Sequence, residues 1–211
     1  MIGIYGGTFD PVHFGHLRPA LDVLEGIGLE QVRFIPCGQP PHRQQPVASA
    51  EQRLAMVSLA VSEQPGFIVD DREISRGGMS YMVDTLTSLK QEKPHKTFCL
   101  ILGMDAFIEF EQWKRWQDIL QMVNLVVTHR PNADFDSEKT GHTLNEYLVN
   151  HRQDDINTFL EAPAGKILFY PVTQLDISST RVRNCIRDGK NIRYLLPQVV
   201  TDYIQQNRIY Q

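Results

Sequence analysis

The stretch Phe98-Cys99-Leu100-Ile101-Leu102 is apolar at every position and stops at Gly103. A run of that length without polar alternation is a strand covered on both faces, which requires helices above and below its sheet. Shorter, mostly apolar segments recur at Ile2–Tyr5, Val32–Ile35, Phe67–Val69, Leu125–Val127 and Ile167–Tyr170. Between them lie segments with apolar residues at helical spacing. Leu17–Leu24 is stopped by Gly26 and Gly28, and a Ser49/Gln52 capping box opens a helix ahead of Leu54, Val57 and Val61. Met82, Leu86 and Leu89 form another helix that ends by Pro94, and helix-like segments cover about 104–122 and 136–152. Strand then helix, repeated about five times, predicts an α/β fold: a Rossmann-like doubly wound parallel sheet with helices on both faces. Ligands of such sheets sit beyond the carboxyl ends of the strands. Helices over Ser179–Arg187 and from Pro197 to about Gln206 close the chain as a C-terminal helical part, 178–211. The 211 residues read as one domain, with the acidic, polar stretch 132–165 a candidate excursion from the sheet.

Charge narrows the choice of partner. Twenty-one Lys plus Arg against 25 Asp plus Glu give −4, and a pI near 6.0 leaves no global footprint for a nucleic acid polymer. Cys37, Cys99 and Cys185 are far apart, lack a Cys-x-x-Cys spacing and suit a reducing compartment. The apolar opening reaches Gly6-Gly7 too soon for a signal peptide, and no apolar run approaches the ~20 residues that span a bilayer. A cytoplasmic protein without a membrane partner is expected.

The chemistry concentrates where the first strand turns into the first helix: Gly6-Gly7-Thr8-Phe9-Asp10-Pro11-Val12-His13-Phe14-Gly15-His16. Glycines at a strand end let backbone N–H groups approach an anion, and the helix that follows adds its positive end. His13 and His16, three residues apart, fall on one face of a first helical turn, and Gly15 leaves room for a ligand between them. Cationic or donor imidazoles there would stabilise a phosphoryl group in transfer. A metal pair is the rival reading, but no third ligand at helical spacing accompanies it, so no protein metal site is expected. The segment is neither G-x-G-x-x-G nor Walker A.

That long motif resembles the signature of the His-x-Gly-His nucleotidyltransferase superfamily, and in its long form it is similar to the bacterial nicotinate-nucleotide adenylyltransferases. The resemblance runs from residue 1 to about 207, with 132–165 its least constrained stretch. It implies adenylyl transfer from ATP to nicotinate mononucleotide in NAD biosynthesis, by direct in-line attack at the α-phosphate. It also implies Mg²⁺ held mainly by phosphate oxygens and water. Relatives using nicotinamide mononucleotide or phosphopantetheine, and a nucleotide-binding regulator without catalysis, are the alternatives.

The remaining motifs read in two ways each. Pro40-Pro41-His42-Arg43 is a stiff loop whose arginine is either solvated or an anion grip; it resembles the Pro-Pro-His-Lys/Arg segment of the family, implying contacts to nicotinate mononucleotide from His42 and Arg43. Asp105, after Gly103, is a helix cap or an acceptor for a ribose hydroxyl; the resemblance implies nucleotide contacts for both residues. Trp113 and Trp116, at i and i+3, suit a core as well as a stacking surface. The resemblance sets Trp113 against the pyridine and brings the main chain of Ser80-Tyr81-Met82 to its carboxylate. Met82 stands where relatives often have Thr, and Lys114 where they often have an aromatic. Ile177-Ser178-Ser179-Thr180 opens a helix with Arg183 one turn in, a phosphate site or a capped, solvated helix face. The resemblance places it on the triphosphate of ATP, which also gains Gly6, Gly7, Thr8 and Phe9. His13, His16 and Arg183 are the implied catalytic residues, and Arg130 is a weaker candidate for the mononucleotide.

Overall fold

A computed structural model of the chain describes residues 1–41, 45–129 and 141–211. Its first half comprises β1 (Ile2–Gly7), α1 (Phe14–Ile27), β2 (Gln31–Pro36), α2 (Ala50–Val61) and β3 (Phe67–Val69). Then come α3 (Arg72–Arg76), α4 (Met82–Glu92), β4 (Phe98–Gly103), α5 (Met104–Ile108), a 3-10 turn at Phe110–Gln112, α6 (Trp116–Met122) and β5 (Asn124–His129). The last part is α7 (His142–His151), β6 (Arg152–Gln153), α8 (Ile156–Glu161), β7 (Ile167–Pro171), α9 (Ser179–Arg187) and α10 (Gln198–Gln206).

All strand pairings among the described residues are parallel, in the order β3-β2-β1-β4-β5-β7-β6. The chain moves from β1 outward to β2 and β3, then returns to β4 on the other side of β1. Loops leaving β1 and β4 therefore diverge, and the crevice between them is where such sheets bind ligands. Alternation along the strands splits the core in two. Val32, Phe34, Cys99, Ile101 and Val126 face a layer with Val23, Val57, Val182 and Val200 from α1, α2, α9 and α10. Ile2, Ile4, Leu100, Leu102, Leu125 and Val127 face Val83, Leu86, Phe107, Ile119 and Leu144 on the opposite side. Each such side chain, buried, contributes roughly 1.5–3 kcal/mol of transfer free energy.

The structure departs from the sequence pattern at identifiable places. The first helix runs through Gly26 and ends at Gly28, whose φ of 77° is the left-handed cap and whose N–H bonds the Leu24 carbonyl. Gly26 instead admits Tyr170, whose hydroxyl occupies the place an added Cβ would take. The segment 104–122 is not one helix but two, separated by the 3-10 turn and by Arg115 at φ 55°. Phe107 and Trp116, nine residues apart, would face about half a turn away from each other on a straight helix. The break lets both enter one core with Phe110. Helices α3 and α8, of five and six residues, are too short for a period to show, and their buried residues are single ones, Glu73 and Phe159. In the described part of 132–165, β6 pairs with β7 at the sheet edge and Leu144, Leu148 and Phe159 are buried. Pro197 is the N-cap of α10, one place before the helix.

Candidate active site

A crevice of about 750 Å³ opens at the carboxyl ends of β1 and β4, within the usual range for a small-molecule site. One wall carries Gly6, Gly7, Thr8, Phe9 and His16, with Ser179, Thr180 and Arg183 from α9. The other carries Gly103, Tyr81, Met82, Trp113 and Lys114. An added Cβ at Gly6 would meet the Met82 methyl at 2.6 Å, so the flexible end of that side chain would have to move aside.

His13 is the N-cap residue of α1 and His16 its third residue, so the helical rise stacks the rings at 3.8 Å between centroids. His16 lines the crevice, whereas His13 is 4% exposed beside it. The His13 backbone N–H donates to His16 Nδ1 at 3.3 Å, so a neutral His16 keeps its proton on Nε2. Burial, then repulsion from His13, holds His16 well below the ordinary imidazole range. Burial pushes His13 down to about 4. Both rings are therefore neutral at pH 7, which selects the donor form rather than the cationic one of the two expected: dehydration outweighs the stabilisation of the charge. Gly15 does not leave ligand space either. A Cβ there would lie 2.9 Å from both His13 Nδ1 and the Ile177 carbonyl, so the glycine permits α9's approach to the histidines.

The positive wall is assembled by Asp10, which is 5% exposed. Its Oδ2 accepts from the Val47 N–H at 2.9 Å, and Oδ1 from the Ala48 N–H at 3.1 Å and the Tyr210 hydroxyl at 2.7 Å. Arg183 Nη1 donates to the Asp10 carbonyl at 2.6 Å and lies 3.6 Å from Oδ2. The α9 hydroxyls are partly committed: Ser178 Oγ accepts from the Arg181 N–H, Ser179 Oγ donates to the Pro11 carbonyl, and Thr180 Oγ1 accepts from Arg183. Ser179 and Thr180 line the crevice, whereas Ile177 and Ser178 are not on its wall.

On the opposite wall the two tryptophans separate. Trp113 lines the crevice and leans on Phe110, while Trp116 is buried in the core. Lys114 Nζ stands 4.0 Å over the Tyr81 ring, a cation–π contact. No side chain caps α4 at Tyr81, which leaves its first N–H groups beside Tyr81 and Met82 at the crevice. The Gly38 N–H donates to Ser80 Oγ and the Ser80 N–H to the Gln39 carbonyl, tying this turn to the loop after β2. Glu73, buried below, accepts from Thr85 Oγ1 at 2.6 Å, and burial pushes its carboxyl up. Asp105 is no cap: Gly103 holds that position, and Asp105 is exposed in the first turn of α5, off the crevice wall.

His42, Arg43 and Arg130 lie outside the described residues. The sequence pattern missed Asp10 as an organiser, Tyr210 as its partner, Lys114 as a crevice cation, and Arg53. Asp10 carried a signal in its place inside the glycine-histidine motif and Lys114 in standing where relatives often have an aromatic; Tyr210 and Arg53 carried none. Among the described residues no three of His, Cys, Asp and Glu converge as metal ligands. With the Asp10 carboxylate already occupied, this donor set fits a Mg²⁺ ion carried on nucleotide phosphates and water.

The cytidylyltransferase-like family matches residues 4–185 of the chain. A protein of Hydrogenovibrio crunogenus named "Probable nicotinate-nucleotide adenylyltransferase" is 46% identical, with 100% of this chain and 98% of that one covered. A Methylococcus capsulatus protein of the same name is 45% identical, with 100% and 99% covered. Plasmodium falciparum nicotinic acid mononucleotide adenylyltransferase, in structures complexed with APC and with NaAD, shares the fold. Its TM-score is 0.72 at 18% identity, covering 99% of this chain and 96% of that one.

Proposed function

The chain belongs to the cytidylyltransferase-like family, among the nicotinate-nucleotide adenylyltransferases, and we infer that it transfers the adenylyl group of ATP to nicotinate mononucleotide. The products are nicotinate adenine dinucleotide and pyrophosphate, in NAD biosynthesis. One observation carries the reading: a single crevice at the sheet's switch point joins a glycine-lined cup, His16 and Arg183 on one wall to Trp113, Tyr81 and Lys114 on the other.

A nucleotide phosphate has its second pKa near 6, so at pH 7 its oxygen is largely an anion and needs no general base. That oxygen forms the new bond to the α-phosphorus while the bond to the bridging oxygen breaks, and its electron pair leaves with pyrophosphate. The obstacle is repulsion between two polyanions, so catalysis rests on positioned donors. In this assignment the 6–9 backbone and His16 Nε2–H meet phosphate oxygens. Arg183, aimed by Asp10, supplies the fixed positive charge. A neutral imidazole is a sound starting state, because the incoming phosphates themselves raise its pKa. Mg²⁺ on the ATP phosphates would neutralise part of their charge. Trp113 offers its face to the pyridine, and the N–H groups at Tyr81-Met82 with the Lys114 ammonium suit its carboxylate. Gly103, on the crevice wall, is assigned to the adenosine end.

We also place the protein in the cytoplasm, which its three free thiols suit; among the described residues no helix is long and apolar enough to cross a membrane. The deciding experiment mixes protein, ATP, Mg²⁺ and nicotinate mononucleotide and follows pyrophosphate. Parallel runs use nicotinamide mononucleotide and phosphopantetheine. Release that is fastest with nicotinate mononucleotide is expected; none with it, or faster release with either alternative, overturns the reading.

A further inference from the structure

Arg53, on α2, is 1% exposed. Its Nη1 donates to the Thr8 carbonyl at 2.8 Å and its Nη2 to the Gly38 carbonyl at 2.9 Å. Nη1 also lies 3.8 Å from Cys37 Sγ, and the buried Nε has no hydrogen-bond partner among the described residues. The two carbonyls belong to the loops leaving β1 and β2, adjacent strands whose ends line the crevice. Among the described residues no carboxylate oxygen comes within 4.0 Å of this guanidinium, although Arg33, Arg72 and Arg183 each have one.

A buried cation held only by neutral groups is costly to fold, and guanidinium stays charged at any ordinary pH. What such a charge favours is an anion brought to the same region, and the lining residues directly above it form the glycine cup. Its bonds also shape that cup. The C=O and N–H of one peptide point in opposite directions, so holding the Thr8 carbonyl against Arg53 turns the Phe9 N–H away from it. No described group accepts that N–H.

We propose that Arg53 is a positioning residue for ATP: from beneath the crevice it clamps the Thr8 and Gly38 carbonyls and supplies the positive charge that draws the triphosphate into the cup. The proposal rests on the adenylyltransferase reading, and a wild-type protein that releases no pyrophosphate would sink that reading first. Given an active wild type, Arg53→Gln and Arg53→Lys separate charge from scaffold. Dissociation constants for ATP and for nicotinate mononucleotide are measured on both variants by calorimetry, with thermal unfolding in parallel. Arg53→Gln is expected to weaken ATP about tenfold or more, the scale of one charge-assisted contact. It should change nicotinate mononucleotide less than about threefold and shrink the ATP-induced rise in Tm. Arg53→Lys, which keeps the charge but loses the fork, should recover most of the ATP affinity despite a lower Tm without ligand. Equal losses for the two substrates, unchanged ATP affinity in Arg53→Gln, or a lysine variant as weak as the glutamine one would each overturn it. So would failure of both variants to fold, since Arg53 would then be a requirement of the fold.

Discussion

Asp10→Asn exchanges one oxygen of a carboxylate on which four groups converge. Oδ2 serves the Val47 N–H and faces Arg183, while Oδ1 serves the Ala48 N–H and the Tyr210 hydroxyl. An amide can accept on one side only. It would turn its NH₂ toward Tyr210, because a phenol oxygen can accept as well as donate, whereas neither Val47 nor Ala48 can reverse its N–H. The Ala48 N–H is then stranded in a buried site, at about 1–3 kcal/mol, and the remaining bonds lose their ionic strengthening. A total near 2–4 kcal/mol lowers Tm by roughly 4–16 °C in a chain of this size. Arg183 keeps the Asp10 carbonyl but loses its charge partner; a displacement of about 1 Å would lower kcat up to about 10²-fold. Thermal unfolding by circular dichroism and steady-state pyrophosphate release measure the two effects. Tyr210→Phe completes a cycle: its cost should shrink in the Asp10→Asn background, with a coupling above about 0.5 kcal/mol. Additive penalties, or a Tm within about 1 °C of wild type, less than one lost buried hydrogen bond predicts, would refute the reasoning.

His16→Ala should lower kcat by roughly 10²–10⁴-fold, the range for a positioned side chain; turnover within about twofold of wild type would remove His16 from the chemistry. Trp113→Ala should raise KM for nicotinate mononucleotide more than KM for ATP, and Lys114→Met should erode the preference for nicotinate over nicotinamide substrate. Equal changes in the first pair, or an unchanged preference in the second, would count against those contacts. Stability should fall on mild acidification. The folded chain holds His13 neutral down to about 4 while the unfolded chain takes a proton near 6.5, so the stabilisation is complete above 6.5 and is lost as pH drops toward 4. The shift corresponds to about 3 kcal/mol, with His16 acting in the same direction. Urea midpoints across that interval should drop less in His13→Asn than in wild type, and parallel curves for the two proteins would contradict the assignment.

The parts of this protein legible from sequence are those encoded within a few residues. Continuous apolar strands such as Phe98–Leu102, helical spacing in Met82–Leu89 and the Ser178 cap depend on local geometry, so the parallel sheet, its two covered faces and helix Ser179–Arg187 follow directly. The Gly6–His16 segment is legible as a crevice wall for the same reason, since strand, turn and helix start are contiguous there.

Tertiary structure decided whatever depends on what lies across the fold. It sent Trp113 to the crevice and Trp116 to the core, though both carry the same indole three residues apart. It set the histidines neutral, because desolvation comes from packing rather than from their spacing. It also brought Tyr210 to Asp10 across 200 residues and placed Arg53 beneath a turn 45 residues earlier. A side chain's neighbours along the chain set its periodicity, but its charge, partners and access to a ligand come from neighbours that only folding supplies.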